Sequence, residues 1–281
     1  MAQPIRRKRT VKKNKPRFFG KWFLVVFSFF LLLIITIGIY KFRDGFLYYL
    51  GFKTDKYANE LSADERKLTD IRIYEVLHKH DNKAIGFDVS EYQSEIDWEQ
   101  TYHIDEAFEL SFVFIRSTAG KDKIDSKFKE NWKAAKERQL IRGAYHYYRP
   151  NENSIEQAEN FIKTVKLQKG DLPPVLDIEK LPKSQSIDSL KVGLRRWLNR
   201  IEKHYKVKPI IYSGESYYTD FLKEEFSEYP LWIANYNFWR NDLESDWQFW
   251  QFTEKAQIEG IKGMVDINIF NGDKNKLLLK C

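Results

Sequence analysis

The sequence predicts an α/β fold: a TIM-like barrel of five strand–helix units plus three further strands, preceded by one transmembrane helix. Three observations support this prediction. From residue 85 onward, short apolar runs alternate with longer amphipathic stretches, as in parallel strands joined by crossover helices. There are eight such runs, the number of strands in a closed barrel. An uncharged segment of 19 residues, 22–40, precedes them.

The eight predicted strands are rich in β-branched and aromatic residues. They span residues 85–89, 112–116, 141–147, 174–179, 208–212, 231–234, 248–252 and 265–270. Only 13 and 12 residues connect the last three strands, which hardly accommodates a helix with two loops. We therefore expect helices in the first five units and tight connections thereafter. A doubly wound open sheet is the alternative, because it shows the same alternation.

Three predicted helices have an apolar face at helical spacing. They span residues 126–139, 154–165 and 187–205. Ser154 and Gln157 suit a capping box at the start of the second helix.

The N-terminal region predicts a single-pass anchor in the cytoplasmic (inner) membrane. Residues 1–21 carry nine Lys or Arg and no acid. At 1.5 Å per residue, segment 22–40 spans about 28 Å, close to the ~30 Å hydrocarbon core. Only four basic residues follow in 41–60, so the N-terminus is expected inside and the rest outside. A cleaved signal peptide is the alternative, but the apolar run is longer than usual and no small-residue cleavage site follows.

The predicted domains are a basic cytoplasmic tail (1–21), a transmembrane helix (22–40), a juxtamembrane stalk (41–83) and a barrel domain (84–281). Beyond the tail, 38 basic residues accompany 40 acidic ones, a balance that does not favour nucleic-acid binding. The single cysteine, Cys281, excludes an intramolecular disulfide.

Four acidic residues interrupt apolar strands. Asp177 and Glu179 are two positions apart and so face the same side of their strand. Asp88 ends the first strand and Asp266 lies in the last, and these strands are neighbours if the barrel closes. Clustered carboxylates cost stability but push their pKa values apart, as glycoside hydrolysis requires. An oxygen-ligated cation is the competing use. Zinc is not expected, because no His-x-x-x-His or Cys ligand set is nearby, and no cofactor is predicted.

Further side chains at the predicted strand ends are candidates for binding a sugar. Each one could equally serve core packing or a structural ion pair. They are Arg116, Tyr145, Tyr147, Trp232, Tyr236 and Trp250. His146, in the same region, is expected to be a hydrogen-bonded core residue.

Seven segments occur in a characteristic order over about residues 84–275: GFDVSEYQSEIDW, FVFIRSTAG, GAYHYYRP, PVLDIE, LWIANY, WQFT and VDINIF. Together they resemble glycoside hydrolase family 25, the lysozymes (N-acetylmuramidases) that cut bacterial peptidoglycan. The resemblance implies that Glu179 is the general acid. It implies that Asp177 stabilises the oxocarbenium-like centre, as nucleophile or by steering the 2-acetamido group of the substrate. It also implies that Asp88 and Asp266 are flanking acids and that configuration is retained.

The resulting hypothesis is a membrane-anchored lysozyme acting on peptidoglycan glycan strands just outside the cytoplasmic membrane. It would hydrolyse the β-1,4 bond between N-acetylmuramic acid and N-acetylglucosamine. The alternative is a glycan-binding or scaffolding protein with the same fold and no turnover.

Overall fold

The structure, a computed structural model, describes residues 19–54, 61–273 and Leu277. The predicted basic tail up to residue 18 and Cys281 lie outside the described residues. The chain divides between Leu47 and Tyr48 into two compact units.

The first helix, α1 (Phe19–Thr54), includes the predicted transmembrane segment and extends beyond residue 40. Within it, Trp22–Phe42 is long and apolar enough to cross a membrane, and none of that segment is buried by protein. Trp22 and Tyr40, for example, are 66% and 76% exposed. An apolar surface of this extent needs a membrane or another protein to cover it. An N-terminal signal sequence shares these properties.

The second helix, α2 (Ala63–Lys79), packs on the barrel, although the sequence assigned these residues to a stalk. Ser62 and Glu65 form a capping box at its N-terminus. Its buried apolar side chains are at most 3% exposed and belong to the main core: Ile73, Val76 and Leu77. Because such burial is worth a few kcal/mol, α2 is part of the folded barrel unit.

Residues 83–273 contain ten strands. They are β1 (Lys83–Val89), β2 (His103–Ile104), β3 (Phe108–Ala119), β4 (Lys123–Ile124), β5 (Ile141–Tyr147), β6 (Val175–Asp177), β7 (Ile210–Gly214), β8 (Leu231–Ala234), β9 (Trp247–Ala256) and β10 (Val265–Asp273). All but the short β2 and β4 form a closed barrel of eight strands, in which β10 alone is antiparallel to its neighbours. The predicted barrel is confirmed, and the open doubly wound alternative is wrong because β1 pairs with both β3 and β10.

The remaining helices lie between barrel strands. They are α3 (Phe128–Glu137), α4 (Ser154–Thr164), α5 (Ile187–Tyr205) and a short helical stretch formed by α6 (Glu215–Tyr217), a π-helical turn (Tyr218–Leu222) and α7 (Lys223–Phe226). The first three match the predicted helices to within three residues. The connections from β8 to β9 and from β9 to β10, both fully described, contain no helix, as their lengths predicted.

The predicted count of five strand–helix units does not match the structure. Residues 90–107, all of them described, join β1 to β3 through a 3-10 turn (Glu91–Gln93) and β2, without an α-helix. Its inward-facing apolar residues, Ile96, Trp98 and Ile104, are spaced by two and six positions, which does not form one helical face. Four connections therefore carry helix rather than five.

The start of α4 also differs from the prediction. Its N-cap is Asn153 rather than Ser154, since Asn153 Oδ1 accepts hydrogen bonds from the N–H groups of Ile155 (2.9 Å) and Glu156 (3.2 Å). Gln157, the other half of the predicted capping box, is buried in the core instead.

Aromatic side chains fill the barrel interior below its C-terminal mouth. Phe249 lies 5.3 Å from Phe112 and 5.1 Å from Phe114, measured between ring centroids. Trp232 stacks on Phe114 at 4.2 Å. A Cβ atom at Gly86 would lie 2.4 Å from the Phe112 carbonyl oxygen, so this position in β1 requires glycine. The filled interior leaves space only at the mouth.

We expect Leu77→Ala to lower the free energy of unfolding by about 2–5 kcal/mol, because a fully buried side chain is removed and a cavity remains. The matched control, Ile71→Ala on the exposed side of α2, should change it by at most about 0.5 kcal/mol. Urea unfolding of residues 61–281, followed by tryptophan fluorescence, measures both. Equal effects would contradict the packing of α2 on the barrel.

Candidate active site

A pocket of about 450 Å³ opens at the C-terminal ends of the parallel strands, and all four predicted acids line it. Asp88 comes from β1, Asp177 ends β6, Glu179 follows two residues later, and Asp266 comes from β10. Trp232 of β8 forms part of the floor. The closed barrel thus gathers residues that are widely separated in the sequence.

Asp88 and Asp266 lie directly opposite each other on antiparallel strands. Such pairs have Cβ atoms about 4.5–5.5 Å apart, so the two carboxyl groups meet. Asp88 is buried, and its Oδ2 accepts hydrogen bonds from Gln251 Nε2 and Asn268 Nδ2, both at 2.8 Å. Since two adjacent like charges repel, this pair favours holding one proton.

Asp177 and Glu179 face the same side because the chain between them is held extended. The Ile178 N–H donates to the Tyr212 carbonyl at 3.0 Å, and the Ile178 carbonyl accepts from the Ser213 hydroxyl at 2.7 Å. Asp177 is only 5% exposed, and its Oδ1 is buried without a hydrogen-bond partner among the described residues. Glu179 is exposed at the mouth.

Loss of water raises the pKa of all four carboxyl groups. Burial raises the pKa of Asp88 to about 7, despite opposing hydrogen bonds from the Asn268 and Gln251 amides. Burial, followed by neighbouring carboxylates, raises the pKa of Asp177 and Asp266 well above the ordinary range. Loss of water at the mouth raises the pKa of Glu179 above its ordinary value, the Lys180 ammonium opposes this shift, and the Glu254 carboxylate adds to it. The four groups are therefore not all ionised at neutral pH.

Four of the predicted aromatic residues lie in the pocket wall: Tyr145, Tyr147, Trp232 and Tyr236. Tyr145 and Tyr147 are partly exposed, and the Tyr145 ring meets Trp232 edge-on at 6.3 Å. Trp232 is 2% exposed, so it supports the pocket from below and offers little surface for stacking. Contact between these residues and a sugar stays a prediction.

Trp250 does not line the pocket, and the structure contradicts its prediction as a substrate contact. It is fully buried on the outer side of the barrel, where its indole N–H donates to the Asn235 carbonyl at 2.9 Å and its ring meets His80 edge-on. The reason is strand alternation: Phe249 and Gln251 face inward, so Trp250 between them faces outward.

Arg116 lines the pocket but binds acids outside the predicted set. Its Nε donates to Asp125 Oδ2 at 2.8 Å, and its Nη2 lies 3.0 Å from Glu91 Oε1. Its guanidinium also lies 4.5 Å from the Tyr92 ring centroid, a cation–π contact. The sequence left open whether Arg116 binds a sugar or forms a structural ion pair. The observed contacts are those of a structural ion pair.

His146 is a hydrogen-bonded core residue, as predicted. It is fully buried, with Nδ1 at 2.7 Å from Thr118 Oγ1 and Nε2 at 3.2 Å from Gln157 Oε1. Burial lowers its pKa to about 4, so the ring is neutral at physiological pH.

The sequence analysis missed several residues of the pocket. They are Tyr92, Lys180, Tyr212, Gln251 and Glu254 in its lining, and Asn268 below it. Two of these could have been found from alternation. Asn268 is two positions after Asp266, and Gln251 is the polar inward-facing residue of an apolar strand.

Among the described residues, no three His, Cys, Asp or Glu side chains are grouped so that they could hold a metal ion. Of the four acids, Asp88 is bound by two amide donors and lies opposite Asp266.

The chain that forms this pocket is similar to known glycosyl hydrolases. The family model for glycosyl hydrolases family 25 matches residues 87–261. The chain is 41% identical over 194 residues to the uncharacterized protein YegX of Escherichia coli K12, covering 68% of this chain and 71% of that protein. It is 32% identical over 208 residues to Lysozyme M1 of Streptomyces globisporus, covering 69% of each. The solved structure of a family 25 glycosyl hydrolase from Bacillus anthracis matches with a TM-score of 0.63 and 29% identity, covering 71% of this chain and 94% of that one.

Replacing Asp88 by Asn should stabilise the protein at alkaline pH. The folded-state pKa of Asp88, about 7, lies above its usual 3.8, so its contribution is fully present below pH 3.8 and is lost as pH rises through 7. Asp88→Asn avoids this loss, so we expect a gain on the order of 2 kcal/mol at pH 8 and little gain at pH 4.

Thermal unfolding of wild type and Asp88→Asn across pH 4–8 measures the effect. Asp246→Asn, on an exposed turn, is the control and should show no such trend. A gain from Asp88→Asn that does not grow with pH would contradict the raised pKa.

Proposed function

The chain belongs to glycosyl hydrolase family 25 and is a glycoside hydrolase, and we propose that it acts as a lysozyme on peptidoglycan. The scissile bond would be the β-1,4 linkage between N-acetylmuramic acid and N-acetylglucosamine. The observation that carries this proposal is the convergence of Asp88, Asp177, Glu179 and Asp266 on one pocket. Similarity to Lysozyme M1 supports the substrate class.

Glu179 is the proposed general acid. It stands at the open mouth, where a bulky glycan can bring its glycosidic oxygen, and loss of water raises the pKa of its carboxyl. A raised pKa keeps the proton available near neutral pH. Once the proton is transferred, Lys180 next to it stabilises the glutamate anion.

Asp177 is the proposed partner beneath the sugar. Its buried Oδ1, without a partner among the described residues, is suited to accept a hydrogen bond from a substrate N–H. A 2-acetamido N–H held there would direct the acetamido oxygen to the anomeric carbon as the bond to the leaving oxygen breaks. Water would then attack from the opposite face, so that configuration is retained. Direct attack by Asp177 is the other route to retention.

The aromatic wall completes the proposed substrate site. Tyr145, Tyr147 and Tyr236 present ring edges or faces around the acids, and Tyr212 adds a fourth phenol. Rings of this kind bind the apolar faces of sugars, while their hydroxyls bind sugar oxygens. Asp88 and Asp266 are the proposed flanking acids that tune the site electrostatically.

We further propose that α1 is an uncleaved, single-pass anchor in the cytoplasmic membrane. Its exposed apolar segment and the basic residues before it support this orientation, with the N-terminus inside. The barrel unit, including α2, would then face the wall, and hydrolysis would be confined to peptidoglycan close to the membrane.

Glu179→Gln is expected to lower kcat/KM on purified peptidoglycan by about 10²- to 10⁴-fold, because an amide of the same shape cannot donate a catalytic proton. Mass spectrometry of released fragments, looking for new reducing ends at N-acetylmuramic acid, measures the reaction.

Glu137→Gln, at the exposed end of α3, is the matched control and should retain wild-type activity. Undiminished hydrolysis by Glu179→Gln would contradict its role. A folded wild type that binds glycan strands and releases no products would favour the non-catalytic glycan-binding alternative.

The full chain should remain in the membrane fraction after alkaline carbonate washing, at the mass of the uncleaved protein. Protease added outside the cytoplasmic membrane should degrade the barrel unit, because the positive-inside rule places it there. Recovery of a shortened protein in the medium would instead identify residues 22–40 as part of a signal peptide.

A further inference from the structure

Two amide side chains converge on a single oxygen of Asp88. Gln251 Nε2 and Asn268 Nδ2 both donate to Asp88 Oδ2 at 2.8 Å. All three side chains are buried, with Gln251 2% and Asn268 0% exposed. The reaction proposed above assigns no role to either amide.

The orientation of each amide is set by a second hydrogen bond on its far side. Asn268 Oδ1 accepts from Trp232 Nε1 at 2.7 Å. An indole N–H can only donate, so Asn268 must turn its oxygen to Trp232 and its NH₂ group to Asp88. Gln251 Oε1 likewise accepts from the hydroxyls of Tyr212 (2.8 Å) and Tyr236. The Asn268 amide is therefore locked as a donor to Asp88, and the two tyrosine hydroxyls support the same orientation of the Gln251 amide.

These donors determine which carboxyl of the pair holds the proton. Asp88 Oδ2 accepts two N–H groups, and an N–H donor binds a carboxylate more strongly than a neutral carboxylic acid, so the hydrogen bonds favour the ionised form. The other partner of Asp88 is the Asp266 carboxyl, with which it is hydrogen-bonded. Asp266 receives no such amide donors among the described residues. The shared proton therefore sits on Asp266.

Other ionisable groups also face the pair. They are Asp177 and Glu179 at the end of β6, Arg116 of β3, Tyr145 of β5, Tyr212 of β7, Tyr236 after β8 and Glu254 of β9, whose carboxylate raises the pKa of Asp266. The three phenols stay protonated, since burial raises the pKa of each well above 10. Two differences therefore favour the proton on Asp266: the amide donors lie on Asp88, and the Glu254 carboxylate acts on Asp266.

We propose that Gln251 and Asn268 are positioning residues that favour the ionised form of Asp88 and place the proton of the Asp88–Asp266 pair on Asp266. This inference rests on the proposed function for its catalytic meaning: the negative charge of ionised Asp88 would support the positive charge that develops at the anomeric centre. The assignment of the proton to Asp266 follows from the hydrogen bonds and does not depend on catalytic activity.

The first test measures stability and needs no activity. Gln251→Met keeps the side-chain length and removes the donor to Asp88. Asp88 should then ionise only at higher pH, so the loss of stability relative to wild type should be greater at pH 9 than at pH 6. Thermal unfolding of the full chain in a neutral detergent should show the unfolding midpoint falling by about 3 °C more at the higher pH.

Gln157→Met is the matched control. Gln157 is equally buried and also hydrogen-bonded on both sides of its amide, but it binds His146 and the backbone of Arg149 and makes no hydrogen bond to any of the four acids. Its loss of stability should be the same at pH 6 and pH 9. Identical pH behaviour of the two methionine variants would overturn the proposal.

A second variant tests the donor from Asn268 in case Gln251→Met does not fold. Asn268→Leu keeps the approximate size, adds no titratable group, and removes both the donor to Asp88 and the acceptor for Trp232. Loss of the Trp232 bond costs the same at both pH values, so a greater loss of stability at pH 9 than at pH 6, as in Gln251→Met, reports on Asp88. A pH-independent effect would overturn the proposal for Asn268.

The catalytic consequence appears in the pH–rate profile on purified peptidoglycan. The acidic limb of kcat/KM, which reports ionisation of Asp88, should move up by about one pH unit in Gln251→Met and stay in place in Gln157→Met. An unmoved limb in an active Gln251→Met variant would refute the catalytic role. A wild type without hydrolysis would refute the proposed function, while the stability test would still decide the position of the proton.

Discussion

The architecture depends on the two-sided pairing of β1. This strand bonds antiparallel to β10 and parallel to β3, which joins the first and last strands and leaves the eight-stranded sheet without free edges. Closure encloses an aromatic interior that excludes water. It also sets Asp88 opposite Asp266 and brings both beside Asp177 and Glu179. In an open sheet these carboxyl groups would not share one water-poor pocket, and their pKa values would stay near the ordinary range.

The same pocket is a local source of instability. Burial raises the pKa of each of its carboxyl groups, so ionising them opposes folding at neutral pH. Two amide donors offset part of the cost of burying the Asp88 carboxylate. Asp177, in contrast, has a buried oxygen without a hydrogen-bond partner among the described residues. Unsatisfied groups of this kind are rare in folded proteins and concentrate where a ligand completes them. The four chemically similar acids therefore lie in different environments.

The helix that follows the predicted membrane segment also supports the pocket. Arg72 of α2 donates to the carbonyl oxygens of Asn237 at 2.8 Å and Arg240 at 3.0 Å. These residues belong to the loop after β8, which also carries Tyr236 with its hydrogen bond to Gln251. A segment that reads from its composition as a polar stalk therefore contributes to the scaffold of the site, through backbone contacts that leave no periodic signature in the sequence.

The sequence by itself determined the eight strands, the three long helices, the apolar segment and the four acids, because hydrophobic periodicity and charges within apolar runs are local signals. Alternation along a strand indicates that Trp250 and Gln251 face opposite sides. Only the tertiary structure decided which of the two faces the pocket: Gln251 lines it, and Trp250 is buried on the outer side of the barrel. The tertiary structure also decided that α2 packs on the barrel. It brings Asn268 and Gln251 to Asp88, since these contacts join residues more than 160 positions apart and depend on closure of the barrel.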